Sequence, residues 1–286
     1  MPNAGPKPRV KQLQAIFCGP HQALLVLVPT RYFCSMISVV VITKNEAHCI
    51  GRCLASLAGV VAEVVVVDSQ STDATVAIAQ AAGAKVLIQP WLSFGPQKNV
   101  GANAATHPWI LSLDADECLS PELAAELQQL VQRGMQGVYS FHFLHHYYGK
   151  PVHYGLENPQ HKLRLYNRNE ATWNSDAVHE RLEFNSTVTI TPLQGRLLHY
   201  GYINMEQHAQ KSNRYSTLGA QAMFAKGRTS HRWKLWVSPA FTFFRAYVIK
   251  RGFLDGQLGF VLARWNAYTT WMKYAKLWAL WQQKKP

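Results

Sequence analysis

Asp114-Ala115-Asp116 closes the apolar run Trp109-Ile110-Leu111-Ser112-Leu113. Residues two apart on an extended segment project to the same side, so both carboxylates can converge on one hard cation. Mg²⁺ or Mn²⁺ held this way keeps open positions for phosphate oxygens, and as a Lewis acid it neutralises a departing diphosphate. Two more polar clusters close other apolar runs, Thr43-Lys44-Asn45-Glu46 and the segment from Asp68 to Asp73. Asn45 and Asp73 also suit ordinary helix caps. Three clusters at the ends of successive apolar runs argue for a shared ligand over three unrelated caps. The chain has no G-x-G-x-x-G after its first strand and no G-x-x-x-x-G-K-[ST] anywhere, so dinucleotide and P-loop modes lose their main supports.

The elements that must position these clusters are legible as alternating strands and helices. Ile37–Ile42 is a β-branched run that predicts a buried strand. Asn45 is expected to cap a helix with Ile50, Leu54, Leu57 and Ala58 at helical spacing. Glu63–Val67 predicts a second strand, then a helix to about Ala82, Gly83 as a stop and a short strand Lys85–Ile88. Trp109–Leu113 is the next strand, and Ser120-Pro121-Glu122 opens a helix with a cap, a first-turn proline and early negative charge. This alternation predicts an α/β fold, a largely parallel sheet with helices on both faces. Ligands of such sheets bind beyond the carboxyl ends of the strands, where all three clusters fall.

The 286 residues carry 29 Lys+Arg against 16 Asp+Glu, and 48% are apolar, which excludes wholesale disorder. Residues 1–206 balance fifteen basic against fifteen acidic side chains, whereas residues 207–286 hold fourteen basic side chains and one acid, Asp255. Six of the nine tryptophans lie in that same segment. Five scattered cysteines do not make a disulfide scaffold, and Cys49 and Cys53 lack a second pair for zinc, so a reduced cytosolic setting is expected. No apolar run approaches the ~18 residues of a transmembrane span. Residues 1–35 are basic and proline-punctuated. Their apolar stretch Ala23–Val28 is too short for a secretory core, and Met36 stands directly before the first convincing strand. They read as a loose extension, or as upstream sequence preceding a start at Met36.

Three segments, Ser38–Glu46, Val65–Asp73 and Leu111–Glu117, resemble the family 2 glycosyltransferases of the GT-A fold. Six more resemble, in order, the lipopolysaccharide core β-glucosyltransferase branch: Phe94–Asn99, Lys162–Tyr166, Val178–Glu180, Leu197–His199, Arg251–Gly256 and Lys273–Trp278. The resemblance implies that Glu46 and Asp68 contact the uracil and ribose of a UDP-sugar, and that Lys98 lies near its phosphates. It implies a metal and nucleotide motif at Asp114 and Asp116, with His199 completing the metal shell; a packed core histidine is the other reading of His199. The implied reaction is inverting displacement at an anomeric carbon by an acceptor hydroxyl, which requires a base. Glu180 is the first candidate, then Asp176 and Glu157; an ion pair with Arg181 or Arg164 is the structural alternative for Glu180. Relatives often carry Pro-Asp where this chain has Pro159-Gln160, so an aspartate there cannot serve.

In the basic segment, Ser238-Pro239 is expected to start a helix through Ile249, with Phe241, Phe244 and Val248 on one face. A second helix is expected over Leu258–Leu280. Amphipathic helices rich in Trp, Phe, Lys and Arg suit an anionic membrane surface; packing of the aromatic stripe on the catalytic domain is the alternative. No nucleic-acid motif accompanies the charge, so nucleic acid is not expected as a partner. The expected organisation is an extension (1–35), a GT-A nucleotide-sugar-binding domain (36–206) and an amphipathic helical membrane-associating segment (207–286). The expected function is transfer of a hexose, glucose first, from a UDP-sugar to a lipid-linked core oligosaccharide, at the cytoplasmic face of the inner membrane. A polyprenyl-phosphate acceptor and a catalytically silent nucleotide-sugar or membrane binder are the alternatives.

Overall fold

The computed structural model describes residues 36–284 except 159, 177–179, 230 and 232, together with the backbone of two short antiparallel strands, β1 (Gln14–Phe17) and β2 (Ala23–Val26). The rest of the expected N-terminal extension lies outside the described residues. The chain continues through β3 (Ile37–Thr43), α1 (Ile50–Ser56), β4 (Glu63–Asp68), α2 (Thr75–Ala81), β5 (Lys85–Ile88), α3 (Phe94–Ala104), β6 (Trp109–Asp114), β7 (Glu117–Leu119) and α4 (Pro121–Arg133). It then forms β8 (Val138–Tyr147), β9 (Lys150–Val152), β10 (His161–Asn167), β11 (Ala171–Trp173), β12 (Leu182–Phe184) and β13 (Ile190–Tyr202). The helices α5 (Met205–Ala225), α6 (Lys234–Phe244) and α7 (Gly256–Gln283) complete it.

One nine-stranded sheet runs β5-β4-β3-β6-β10-β8-β13-β7, with β9 paired to β8. The strands β5, β4, β3 and β6 are parallel, as the alternation predicts. Beyond β6 the expectation of a largely parallel sheet is corrected. β10 inserts antiparallel between β6 and β8, and β13 lies parallel to β8 and antiparallel to β7. Here a short connection joins the antiparallel neighbours β8 and β9, whereas the parallel pair β8 and β13 is linked by the long segment that carries β9 to β12.

Both faces of the sheet are covered. Ile50, Cys53 and Leu54 of α1, Ala79 of α2 and Leu123 and Leu127 of α4 pack on one side with Val39, Val41 and Leu111. On the other, Ala102 of α3 and the β11–β12 hairpin, through Trp173 and Leu182, cover Val40, Val65 and Ile110. The Ser120 hydroxyl accepts from Leu123 N–H at the start of α4, and Gly83 takes φ +80° after α2, both as expected. Asn45 is not the expected cap. α1 begins at Ile50, and Asn45 sits at φ +55° facing the β4–α2 loop.

Sequence periodicity does not predict α3, because Gly95, Pro96 and Gly101 are weak helix formers. The glycines serve approach instead. A Cβ at Gly101 would lie 2.3 Å from Val40 Cγ1, and one at Gly95 would lie 2.0 Å from the Asn174 carbonyl oxygen. α3 therefore lies flat on β3 and β4 with Lys98 fully buried beneath it.

The basic segment is helical. α6 starts at Lys234, four residues before the expected Ser238, and keeps Pro239 in its interior before a π-helical turn, Arg245–Ile249, and a 3₁₀ turn, Gly252–Asp255. Proline lacks the N–H that would bond the Leu235 carbonyl, so this early turn gives up one ladder bond. α5 and α6 both pack on α7, where Trp265 Nε1–H donates to Ser212 Oγ at 2.8 Å and Lys276 Nζ donates to Asn213 and Ser216. The boundary expected at 206/207 falls in the first turn of α5. Among the described residues no helix is long and apolar enough to cross a membrane.

Gly101→Ala is expected to lower the unfolding free energy by about 1–3 kcal/mol through overpacking against Val40, read from urea denaturation. A midpoint equal to the parent's would refute the close approach of α3.

Candidate functional site

The site forms at the carboxyl ends of β3, β4 and β6, where two loops brace one another. Ser71 donates through both its N–H, at 2.8 Å, and its hydroxyl to the two oxygens of fully buried Asp68, and the same hydroxyl accepts from Asn45 N–H at 2.8 Å. Asn45 Oδ1 accepts from Thr72 N–H, while Asp73 accepts from Ala47 N–H and from Thr75. Asn45 and Asp73 thus tie loop to loop. The positive φ of Asn45 and Gln70 is strain that this hydrogen bonding holds.

Between this brace and α5 opens a cleft of about 200 Å³ lined by Glu46, His48, Asp116, Tyr200, Gln207 and Lys211, among others. Glu46 lies at its edge, where burial raises its carboxyl above the usual range. Its ligand atoms, with those of His48 and Cys49, lie within 4.8 Å of one another. The Cys49 thiol donates to Glu46 at 3.0 Å, and burial and this bond push it up.

Next to the cleft is a buried charge cluster. Lys98 Nζ, reaching from α3, lies 3.4 Å from Asp114 Oδ1, 3.5 Å from Glu180 Oε1 and 4.6 Å from the centre of the Trp173 ring. Arg164 of β10 reaches Asp114 Oδ2 at 3.3 Å and pairs closely with Glu117, whose other oxygen accepts from Asp114 N–H at 3.0 Å. Burial works against charge on Asp114, yet Lys98 and Arg164 hold its carboxyl well below the ordinary range. Arg164 is likewise held above its usual value, against burial, by Glu117 and Asp114. It occupies the irregularity between Leu163 and Leu165, where β10 shifts register against β8. Such a bulge re-aims a side chain that regular pleating would point elsewhere.

Asp114 and Asp116 do not share an extended segment as expected. Asp114 ends β6, residues 115 and 116 form a turn, and Glu117 begins β7. The two aspartates consequently find different partners. Asp116 Oδ2 lies 3.3 Å from His199 Nε2, and Tyr200 N–H donates to the Asp116 carbonyl. Burial opposes charge on both, yet their hydrogen bond lowers the Asp116 carboxyl and raises the His199 imidazole. His199 Nδ1 is 2.9 Å from Nδ1 of buried His145, whose imidazole burial and the neighbouring His199 push down to about 3.

The residues present fit a divalent cation. Two ligands of one ion at about 2.1 Å each lie about 3 Å apart, close to the Asp116–His199 separation, and Asp114 Oδ1 makes no hydrogen bond among the described residues, its partner being the Lys98 ammonium at 3.4 Å. Lys98 and Arg164 face three carboxylates, Asp114, Glu117 and Glu180, and Asp116 lies against His199.

Of the candidate bases, Glu180 joins the cluster with its side chain 31% exposed, and its partner is Lys98, not Arg181. Asp176 turns away, accepting from Asn174 at 2.8 Å and lying 3.6 Å from Arg181, mostly exposed. Glu157 is half-buried and burial raises its carboxyl. Sequence reasoning missed the joint roles of Arg164, Glu117, His145 and Lys211. The detectable signal was an arginine inside the otherwise apolar alternation Leu163-Arg164-Leu165.

Arg164→Met is expected to cost about 3–5 kcal/mol, because it leaves Glu117 buried without its cation and takes one of two cations from Asp114, and Arg164→Met with Glu117→Leu is expected to recover much of that loss. Chemical denaturation of both variants checks this; a double variant no more stable than the single one would sink it.

Residues 38–188 match glycosyl transferase family 2. The chain is 35% identical over 253 residues, 84% of its length and 89% of the relative's, to an uncharacterized glycosyltransferase of Rickettsia felis. It is 30% identical over 249 residues, 84% of its length and 91% of the relative's, to the lipopolysaccharide core biosynthesis glycosyltransferase LpsC of Rhizobium meliloti. A solved structure similar to it is S. aureus TarS 1–349 in complex with UDP-GlcNAc, at 15% identity, 87% and 92% coverage and a TM-score of 0.44. With its parallel β5-β4-β3-β6 half, its mixed second half and the acidic turn at the end of β6, the chain belongs to glycosyl transferase family 2 and has a GT-A-type α/β fold.

Proposed function

We propose that this enzyme is an inverting hexosyltransferase that moves a sugar, glucose first, from a UDP-sugar to a lipopolysaccharide inner-core acceptor presented at the inner face of the cytoplasmic membrane. The observation that carries the reading is the convergence of Lys98, Arg164, Asp114, Asp116 and His199 beside the cleft at the strand ends. The likeness to LpsC supports the acceptor class.

In this reading Glu46 and the Asp68 loop receive uracil and ribose, whose N–H and hydroxyls donate to acid and backbone acceptors. Asp116 and His199, with Asp114, hold Mg²⁺ or Mn²⁺, which when bound supplies Lewis-acid stabilisation of the leaving diphosphate. Lys98 holds Asp114 ionised and adds positive charge on the phosphate side. Glu180 takes the proton from the acceptor hydroxyl. Its partial exposure and its place across Lys98 from Asp114 put it in reach of solvent and of the charge cluster together. Asp176, turned toward Arg181, takes no part in proton transfer.

The test offers purified enzyme a panel of labelled nucleotide-sugars with extracted core lipid. Transfer from a UDP-hexose is expected, EDTA is expected to abolish it, and added Mn²⁺ or Mg²⁺ to restore it. Glu180→Gln is expected to lower turnover by about 10²–10⁴-fold while UDP binding by calorimetry stays within a few-fold. Chelator-insensitive transfer would remove the metal role, and near-parental turnover of Glu180→Gln would remove the base. Transfer to a polyprenyl phosphate instead of core lipid, or UDP binding without any transfer, would overturn the acceptor or the activity.

A further inference from the structure

The basic helical segment carries two apolar faces, and the fold covers only one of them. On the inner face Ala246 is buried, Phe243 and Tyr247 stack on each other, and both meet Phe260 of α7 edge-on. On the outer face Val237, Phe241, Phe244 and Val248 follow one another at intervals of four, three and four, which keeps them on one stripe of the helix and its π turn. Their exposures run from 44% to 57%, and Trp236 beside them is 78% exposed. The 3₁₀ turn adds exposed Leu254 at the end of this stripe.

Charge on this face has one sign. Arg245, Lys250 and Arg251 are exposed around the stripe. The single acid of residues 207–286, Asp255, points the other way, its two oxygens accepting from His153 N–H at 3.1 Å and Tyr154 N–H at 2.9 Å. That bond fastens the segment to the loop that carries Glu157 and leaves the outer face with no carboxylate of its own segment. A contiguous apolar stripe of this kind marks an interaction surface. Trp and Phe ringed by Lys and Arg match the interfacial zone of a bilayer with negative headgroups, in which rings enter the acyl boundary and cations meet phosphates.

We infer that the outer face of α6 and its π and 3₁₀ turns docks on a bilayer containing anionic phospholipid, with Phe241 and Phe244 entering the interface and Arg245, Lys250 and Arg251 on the headgroups. This deepens the membrane-side acceptor reading above and rests on it only for what the membrane delivers.

The full chain, with no donor or acceptor present, is sedimented with vesicles of phosphatidylcholine alone or mixed with phosphatidylglycerol, at low and high salt. Binding to the anionic vesicles is expected, weakening about tenfold or more without phosphatidylglycerol and again at high salt. Phe241→Ser with Phe244→Ser is expected to reduce partition about tenfold or more, and Arg245→Glu with Lys250→Glu several-fold per charge. Both variant pairs sit on exposed side chains, so circular dichroism and UDP binding should match the parent. Vesicle binding that ignores lipid charge, or that neither variant weakens, overturns the inference. So does a parent that self-associates through Phe241 and Phe244 in light scattering and ignores vesicles. Because the assay contains no sugar nucleotide, its failure leaves the transferase reading standing, and absent transfer with intact vesicle binding strikes only the reaction.

Discussion

The arrangement on which the rest depends is a half-buried carboxylate held ionised by two buried cations from separate parts of the chain. Asp114 ends β6 facing Lys98 from α3 and Arg164 from β10, and Glu117 returns from β7 to share the same arginine. Removing such charges from water costs several kcal/mol per ion unless partners sit close on every side. That requirement explains features that otherwise look like flaws. α3 accepts Gly101 so that it can lie on the sheet and Gly95 so that it can meet the backbone after β11, and β10 accepts a register irregularity at Arg164 so that its guanidinium turns toward Asp114. Burial sharpens electrostatics at the site, because the same charges in water would be largely screened.

The loops at the ends of β3 and β4 solve a different problem, which is to hold polar segments still without a core. Asp68 is buried yet satisfied by Ser71, and Ser71 passes the constraint to Asn45, whose amide in turn holds Thr72. The two βα loops form one hydrogen-bonded unit, and the left-handed conformations at Asn45 and Gln70 persist because that unit over-determines them. A rigid rim of this kind presents its acceptors to a ligand with little ordering left to do on binding.

The helical segment completes the molecule at the far side of the site. Lys211 of α5 lines the cleft beside Asp116, and Asp255 grips the backbone at His153 and Tyr154, so the helices meet the sheet at the cleft and again at the loop after β9. Tryptophans divide by role within this segment. Trp265 and Trp281 find acceptors at Ser212 Oγ and the Arg228 carbonyl, whereas Trp233, Trp236, Trp271 and Trp278 face outward. Burial of an indole calls for a partner at its N–H, and of these indoles only the first pair has one among the described residues.

Periodicity alone revealed the parallel half of the sheet and the three polar clusters at its strand ends, because β-branched runs and turn residues encode local geometry directly. It also marked the uneven split of charge between the body and residues 207–286. The mixed half of the sheet, the glycine-bearing helix α3 and the pairing of Glu180 with Lys98 in place of Arg181 were settled only in three dimensions. So was the parting of Asp114 from Asp116 by a turn, which sends one to Lys98 and Arg164 and the other to His199. The reason is the same in each case. A strand's inner face is written in its own residues, but the partner of a buried charge is whichever group the topology carries to within about 4 Å, and in this chain those partners stand 16 to 83 residues away.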